Sequence, residues 1–341
     1  MEEPRRAGNS DRRALVALKP IENIVVGTSL RTGSDAVVGA AADIARELGA
    51  SLTILHSLPS EALVPRFGTS WHESEFHRRW FEMQRDELAA QIERLGIAGP
   101  VSSRVASGSA HRAILEAAES CGADLIVIGA SDRGRFARFL GGTADRVLRQ
   151  AHCPVLVVRG DWRFPIERVL VPVDFSLLSA EALDCGLGFL AQLKAERPLV
   201  ELFFAVSELQ HSGSEPFTPG RIEAYAQDEL ERFGRESTAA SAGNFECRVA
   251  MGAPAREILR EVERFHAQLL VVATNGRGGV ERALLGSVAR AVATEAACAV
   301  LFIPPDIAFG AAVAEAVLEQ TEPVWLDPPG TSETVERSGA P

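Results

Sequence analysis

No cysteine pair in this chain has C-x-x-C spacing, and no uncharged apolar run approaches the roughly 18 residues needed to span a bilayer. The five cysteines, Cys121, Cys153, Cys185, Cys247 and Cys298, are scattered and odd in number, so they read as reduced, mostly buried side chains and not as a disulfide framework. Basic residues are outnumbered, 35 Lys and Arg against 46 Asp and Glu for a net charge of −11. That balance argues against a generic nucleic-acid or anionic-membrane surface. The segment Met1 to Pro20, broken by Arg5, Arg6, Asp11, Arg12 and Arg13, lacks the apolar core of a signal peptide. A cytoplasmic protein is expected.

Catalytic signatures are missing as well. There is no G-x-x-x-x-G-K-(S/T) loop and no G-x-S-x-G elbow. The seven histidines, His56, His72, His77, His111, His152, His211 and His266, show no zinc spacing. His72 and His77 share a stretch with Trp71, Phe76, Trp80 and Phe81, which either lines a pocket or packs its aromatic side on the domain. No two carboxylates are placed as acid and base, so hydrolysis, if present, is expected to be slow and incidental.

What the chain does have is a repeat. Residues Arg104-Val-Ala-Ser-Gly108-Ser-Ala-His-Arg112-Ala-Ile114-Leu115 recur as Arg248-Val-Ala-Met-Gly252-Ala-Pro-Ala-Arg256-Glu-Ile258-Leu259, an offset of 144. At that offset Leu125–Gly129 matches Leu269–Ala273, and Gly142-Thr143 matches Gly286-Ser287; Ile24–Gly27 matches Val169–Pro172 at 145. A length of 341 residues also exceeds what one core organises. Short Val, Ile and Leu runs alternate with longer helical patterns, the mark of βαβ units and a parallel sheet buried on both faces.

The spacing predicts strands near 24–28, 52–56, 102–106, 125–129 and 155–158, and again near 169–173, 200–206, 246–250, 269–273 and 299–303. Between the first two, Val37, Ala41, Ile44, Ala45 and Leu48 recur at helical spacing, with Gly49 placed for a left-handed C-cap. The expectation is α/β: two tandem doubly wound five-stranded parallel-sheet domains, at 21–160 and 166–305. Residues 1–20 read as a flexible N-terminal segment and 306–341 as a C-terminal tail, in which Ile307 to Leu318 could add one helix before the stretch with Pro323, Pro328, Pro329 and Pro341.

The loop after the fourth strand of the second copy runs Ala273-Thr-Asn-Gly276-Arg277-Gly-Gly-Val-Glu-Arg282-Ala-Leu-Leu-Gly286-Ser287, with nine residues between Gly276 and Gly286. Glycines here permit positive φ and close approach of phosphate oxygens to backbone N–H groups, and Gly286-Ser287 opens a helical pattern. Arg277 and Arg282 are available as counter-charges. This loop resembles the G-x2-G-x9-G-(S/T) of ATP-binding universal stress proteins, departing from it at Ala273. The likeness spans about residues 21 to 304 and is also clear at Cys153–Val158 and Cys298–Ile303.

A tandem universal stress protein, with two UspA-type domains of the adenine nucleotide alpha-hydrolase-like (HUP) class, is what the resemblance implies. By that resemblance the second half binds ATP, with or without Mg²⁺, as a regulatory ligand in stress response, through Pro172, Val173, Asp174, Gly276, Arg277, Gly286, Ser287 and Val288. Asp174 would accept a hydrogen bond from the nucleotide with Val173 beside the adenine; taken alone, Asp174 and Ser176 also read as N-cap residues. The first half carries the matching Ser29, Gly129, Gly142 and Thr143, with Ser29 where the second has Asp174 and Asp132 in place of the second glycine. A carboxylate about 4 Å from a phosphate costs about 1 kcal/mol even at water's dielectric, so this half is expected to bind poorly. Ala273 is harmless if its φ is negative, and costs roughly 1 kcal/mol if φ must be positive.

The resemblance further implies that the two domains pack through their last strands as an internal pseudo-dimer, with a protein partner of unknown identity. A competing reading is a nucleotide-independent scaffold in which both loops are degenerate. Ser29, Asp132 and Ala273 favour it.

Overall fold

The computed structural model describes residues 19–58, 70–130, 140–160, 162–193, 198–207, 219–236, 245–276 and 284–305. The side chains of His72 and His77, and residues Asp132, Arg277 and Arg282, lie outside the described set. The first half runs β1 (Asn23–Thr28), α1 (Thr32–Leu48), β2 (Ser51–Leu58), α2 (Ser70–Arg94), β3 (Val101–Ser107), α3 (Ala110–Cys121), β4 (Leu125–Gly129), α4 (Gly142–Gln150) and β5 (Val155–Val158). The second runs β6 (Arg168–Pro172), α5 (Leu177–Gln192), β7 (Leu199–Val206), α6 (Pro219–Glu236), β8 (Phe245–Met251), α7 (Pro254–Phe265), β9 (Leu269–Ala273), α8 (Ser287–Glu295) and β10 (Ala299–Ile303). The expected strands are present, shifted by no more than a residue or two.

The strands form a ten-stranded sheet in the order β3-β2-β1-β4-β5-β10-β9-β6-β7-β8. Within each half every pairing is parallel, including Ile24 with Leu125 and Val169 with Leu269. Where the halves meet, β5 and β10 pair antiparallel, with Leu156 opposite Leu301. Helices cover both faces of a parallel sheet, so its central strands read as unbroken apolar runs: Val155–Val158 and Ala299–Ile303 are buried throughout. Each apolar layer continues across both halves, one through Val26, Ile44, Leu156, Leu301 and Phe189, the other through Ile126, Val147, Val292 and Phe302.

Small features locate the strand ends. Gly49, at φ 68°, closes α1 in the left-handed region, as its sequence position predicts. Gly122 does the same for α3, while α7 ends on His266 at φ 53°. The start of β1 is held by Asp124, whose Oδ2 accepts the N–H groups of Glu22 and Asn23 at 3.0 Å. In the second half the amide oxygen of Gln268 takes the same place, accepting from Glu167 and Arg168.

In each half the strand order reverses at the first strand: β1 lies between β2 and β4, and β6 between β7 and β9. The carboxyl ends of strands flanking such a reversal diverge and leave a crevice, which is where open α/β sheets bind ligands.

Candidate functional site

At the reversal in the second half, β6 leads through Val173 to Asp174 and Phe175 before α5 begins. The Val173 N–H is committed to the carbonyl of Phe203 at 2.9 Å. Phe175 sits at φ 61°, a conformation costly for a bulky side chain, and is held in an aromatic cluster with Phe204 (ring centroids 4.6 Å) and Phe233 (5.7 Å). Ser176 is the N-cap of α5, accepting the Ser179 N–H at 3.2 Å. The Oδ1 of Asp174 accepts both the N–H of Ser176 (3.0 Å) and its hydroxyl (2.5 Å). Asp174 therefore braces the cap with one oxygen, while Oδ2 is turned toward Gly276: a Cβ at Gly276 would lie 2.9 Å from it.

The other wall comes from the loop after β9. Its two ends are pinched together: the Gly286 N–H donates to Thr274 O at 2.9 Å, and the Thr274 N–H to Ile303 O at 3.0 Å. Asn275 is buried, and with its amide oriented to satisfy its surroundings Nδ2 donates to Leu284 O and Thr274 O, at 2.5 and 2.9 Å. Gly286 is glycine for want of room, since a Cβ there would stand 3.2 Å from Thr274 O. Ala273 is the last residue of β9 and is absent from the residues of positive φ, so its methyl imposes no backbone strain.

Between the walls lies a cleft of about 480 Å³, lined among others by Pro172, Val173, Asp174, Gly276, Gly286, Ser287 and Val288. Of the loop and strand-end residues singled out from the sequence as ligand contacts in this half, Arg277 and Arg282 lie outside the described residues. Sequence reasoning passed over Phe203, Phe204 and Ile258, which form the apolar side of the cleft, and Asn275, which ties the loop. The signal available for the first two was their place at the carboxyl end of β7, next to the reversal; for Asn275 it was its place between the loop's first two motif positions.

The first half is built alike and differs in detail. Leu30, at φ 60°, is the counterpart of Phe175, so Ser29 occupies the place of Asp174. The Ser29 hydroxyl oxygen is buried and without a hydrogen-bond partner among the described residues. Gly129 closes β4, where a Cβ would stand 3.1 Å from Val37 Cγ2. One correspondence drawn from the sequence needs correction. The N-cap of α4 is Gly141 and that of α8 is Gly286; both helices span nine residues, with Ala144, Val147 and Leu148 buried where Ala289, Val292 and Ala293 are. Gly142 thus matches Ser287, and Thr143 matches Val288. The first loop is one residue shorter, and no hydroxyl stands where Ser287 does.

Among the described residues no group of three or more His, Cys, Asp and Glu side chains is disposed to hold a metal ion. No helix among them is long and apolar enough to cross a membrane.

A model of the universal stress protein family matches residues 20–159 and again 165–304. A universal stress protein of Mycolicibacterium smegmatis is 27% identical over 308 residues, 83% of this chain and 97% of its own length. Universal stress protein Rv2623 of Mycobacterium tuberculosis is 28% identical over 286 residues, 79% of this chain and 92% of its own. Among solved structures, a protein of unknown function from Pseudomonas aeruginosa, PA1789, superposes with a TM-score of 0.60 at 21% identity, covering 89% of this chain and 99% of its own, a likeness of fold. With two copies of the family model covering nearly the whole described molecule, the chain belongs to the universal stress protein family.

Proposed function

We propose that the chain is a cytoplasmic stress-response protein whose second half binds ATP as a regulatory ligand, without efficient turnover. The observation that carries this reading is the Asp174–Gly276 juxtaposition, which sets a carboxylate against a bare backbone at the mouth of the cleft. Asp174 Oδ2 would receive a ribose or base donor, and Phe203, Phe204 and Ile258 would flank the base. The phosphates would lie over Gly276 and against the N-terminus of α8 at Gly286, Ser287 and Val288, where the N–H groups of the first helical turn that follow the committed Gly286 N–H, together with the helix dipole, favour an anion. Mg²⁺, if used, would arrive with the nucleotide, and Arg277 would add positive charge.

The two repeats, at 21–160 and 166–305, would act as an internal pseudo-dimer joined through β5 and β10. The first half, with Ser29 for Asp174 and Gly142 for Ser287, would contribute surface and not a second nucleotide.

Calorimetric titration of ATP and Mg²⁺ into nucleotide-free chain tests the reading: one site of micromolar affinity is expected. No heat, with the preparation free of copurified nucleotide, would overturn it. The competing scaffold reading draws on the commitment of Asp174 Oδ1 to the α5 cap, and it would then stand.

A further inference from the structure

No arginine or lysine is among the described residues lining the second cleft. The described cation closest to it in the chain is Arg290, one turn into α8, whose own N–H closes the first helical hydrogen bond to Gly286 at 2.8 Å. Side chains on a helix lean toward its N-terminus and cover the turn before their own Cα. An arginine at this position therefore has the end of α8 that carries Ser287 within its range. In the structure its guanidinium is engaged elsewhere: Nη1 lies 3.5 Å from Oδ1 of Asp145, in the other half of the chain.

Asp145 occupies the same position in α4 as Arg290 does in α8, its N–H bonded to Gly141 O at 3.0 Å. It does not depend on Arg290. Arg149, one turn along the same helix, grips both carboxylate oxygens, Nε to Oδ2 at 2.9 Å and Nη2 to Oδ1 at 3.2 Å. Arg290 is the outlying member of the trio, half exposed and at the longest distance. An exposed pair of that length holds its partner weakly, and Asp145 would keep a bidentate partner if Arg290 left.

We infer that Arg290 is a switchable phosphate ligand of the second cleft, held by Asp145 of the first half when the cleft is empty and released to the polyphosphate when it fills. This rests on the nucleotide reading of that cleft and adds a regulatory link to it: occupancy of one half withdraws a cation from α4 of the other. Linkage runs both ways, so whatever neutralises or occupies Asp145 raises affinity in the second cleft.

The test is a set of ATP and AMP titrations on the full-length chain and three variants: Arg290→Gln, Asp145→Asn and the double variant. Arg290→Gln is expected to weaken ATP binding about tenfold and AMP binding less, because the guanidinium serves phosphates beyond the first. Asp145→Asn is expected to tighten ATP binding several-fold, an effect absent in the Arg290→Gln background. A structural role for the ion pair would instead make both single variants weaker or leave both unchanged, and either pattern overturns the inference. Failure of the wild-type chain to bind ATP at all would sink the underlying reading. Circular dichroism and melting of each variant identify any loss that comes from misfolding. Should Arg290→Gln misfold, Arg290→Lys replaces it, with a reduced ATP preference over AMP still expected.

Discussion

Gly276 presents its Cα to Asp174 so closely that a Cβ on it would fall 2.9 Å from the carboxylate Oδ2. Two walls of the cleft, the end of β6 and the loop after β9, meet at this point, and a side chain added at Gly276 would have to displace the Asp174 carboxylate.

Gly276→Asp, the residue type that the first half carries at Asp132, is therefore expected to abolish ATP binding while the chain stays folded. It inserts a second carboxylate beside Asp174, where like charges at about 4 Å repel by about 1 kcal/mol in water and more when desolvated. A Gly276→Ala control adds the methyl alone, and should lose less affinity than the aspartate. Unchanged ATP affinity in Gly276→Asp, by calorimetry, would place the site elsewhere.

Asn275→Asp removes a donor and keeps the shape. The two carbonyls that Nδ2 satisfies, Thr274 O and Leu284 O, would then face a carboxylate in a buried site. Loss of that tie costs about 1–3 kcal/mol by the usual penalty for an unsatisfied buried group. The expected outcome is a chain with a lower melting temperature and an ATP affinity reduced at least tenfold. A variant with wild-type affinity would show that the loop needs no such tie.

Much of this was legible in the sequence, for physical reasons that differ from residue to residue. The strands announce themselves because a sheet buried on both faces needs unbroken runs such as Val155–Val158. Gly49 was readable because few residues other than glycine close a helix at φ 68°. The correspondence of Gly142 with Ser287 escaped because Gly141 and Gly142 are the same letter, and only the first turn of α4 shows which of them caps the helix. Arg290 and Asp145 sit at the same place in their helices, yet at the repeat offset of the loop they do not align. Their contact needed the pairing of β5 with β10, a relation between halves that periodicity within either half does not encode.

Three carboxylic acids are buried in the second half, Glu181 on α5, Glu201 on β7 and Glu261 on α7, the first two standing where the first half has Ala36 and Thr53. Burial, with Asp184 nearby, pushes Glu181 up to about 8, and burial with Glu261 beside it raises Glu201 despite its 2.6 Å contact from Arg264. An acid whose folded pKa lies above its unfolded value near 4.5 holds a proton in the native state that the unfolded chain has already released. Its contribution is complete below pH about 4.5 and is lost as pH rises to about 8. Stability should therefore decline across that window. Glu181→Gln, permanently neutral, is expected to flatten the decline and to melt higher than wild type at pH 9. Parallel melting profiles for the two proteins from pH 5 to 9 would show that Glu181 is ionised in the fold.

Leu301 faces Leu156 across the antiparallel junction, and both are fully buried. Leu301→Ala removes three carbons, a methine and two methyls, from the strand pairing that joins the halves among the described residues, and by the range for such truncations it costs about 2–5 kcal/mol. Where that loss appears is the informative part. If the halves form one cooperative pseudo-dimer, chemical unfolding of the wild type and of the variant will each show a single transition, and the variant's midpoint will fall for probes in both halves. In a background with Trp71, Trp80 and Trp325 replaced by phenylalanine, Trp162, packed edge-on against Phe164 at 5.6 Å in the segment that links the halves, reports that segment by fluorescence. Two separated transitions in the wild type, with Leu301→Ala moving only the one belonging to the second half, would mean that each repeat stands alone and that β5 and β10 merely touch. Signals passed between Asp145 and Arg290 would then have no shared body to travel through.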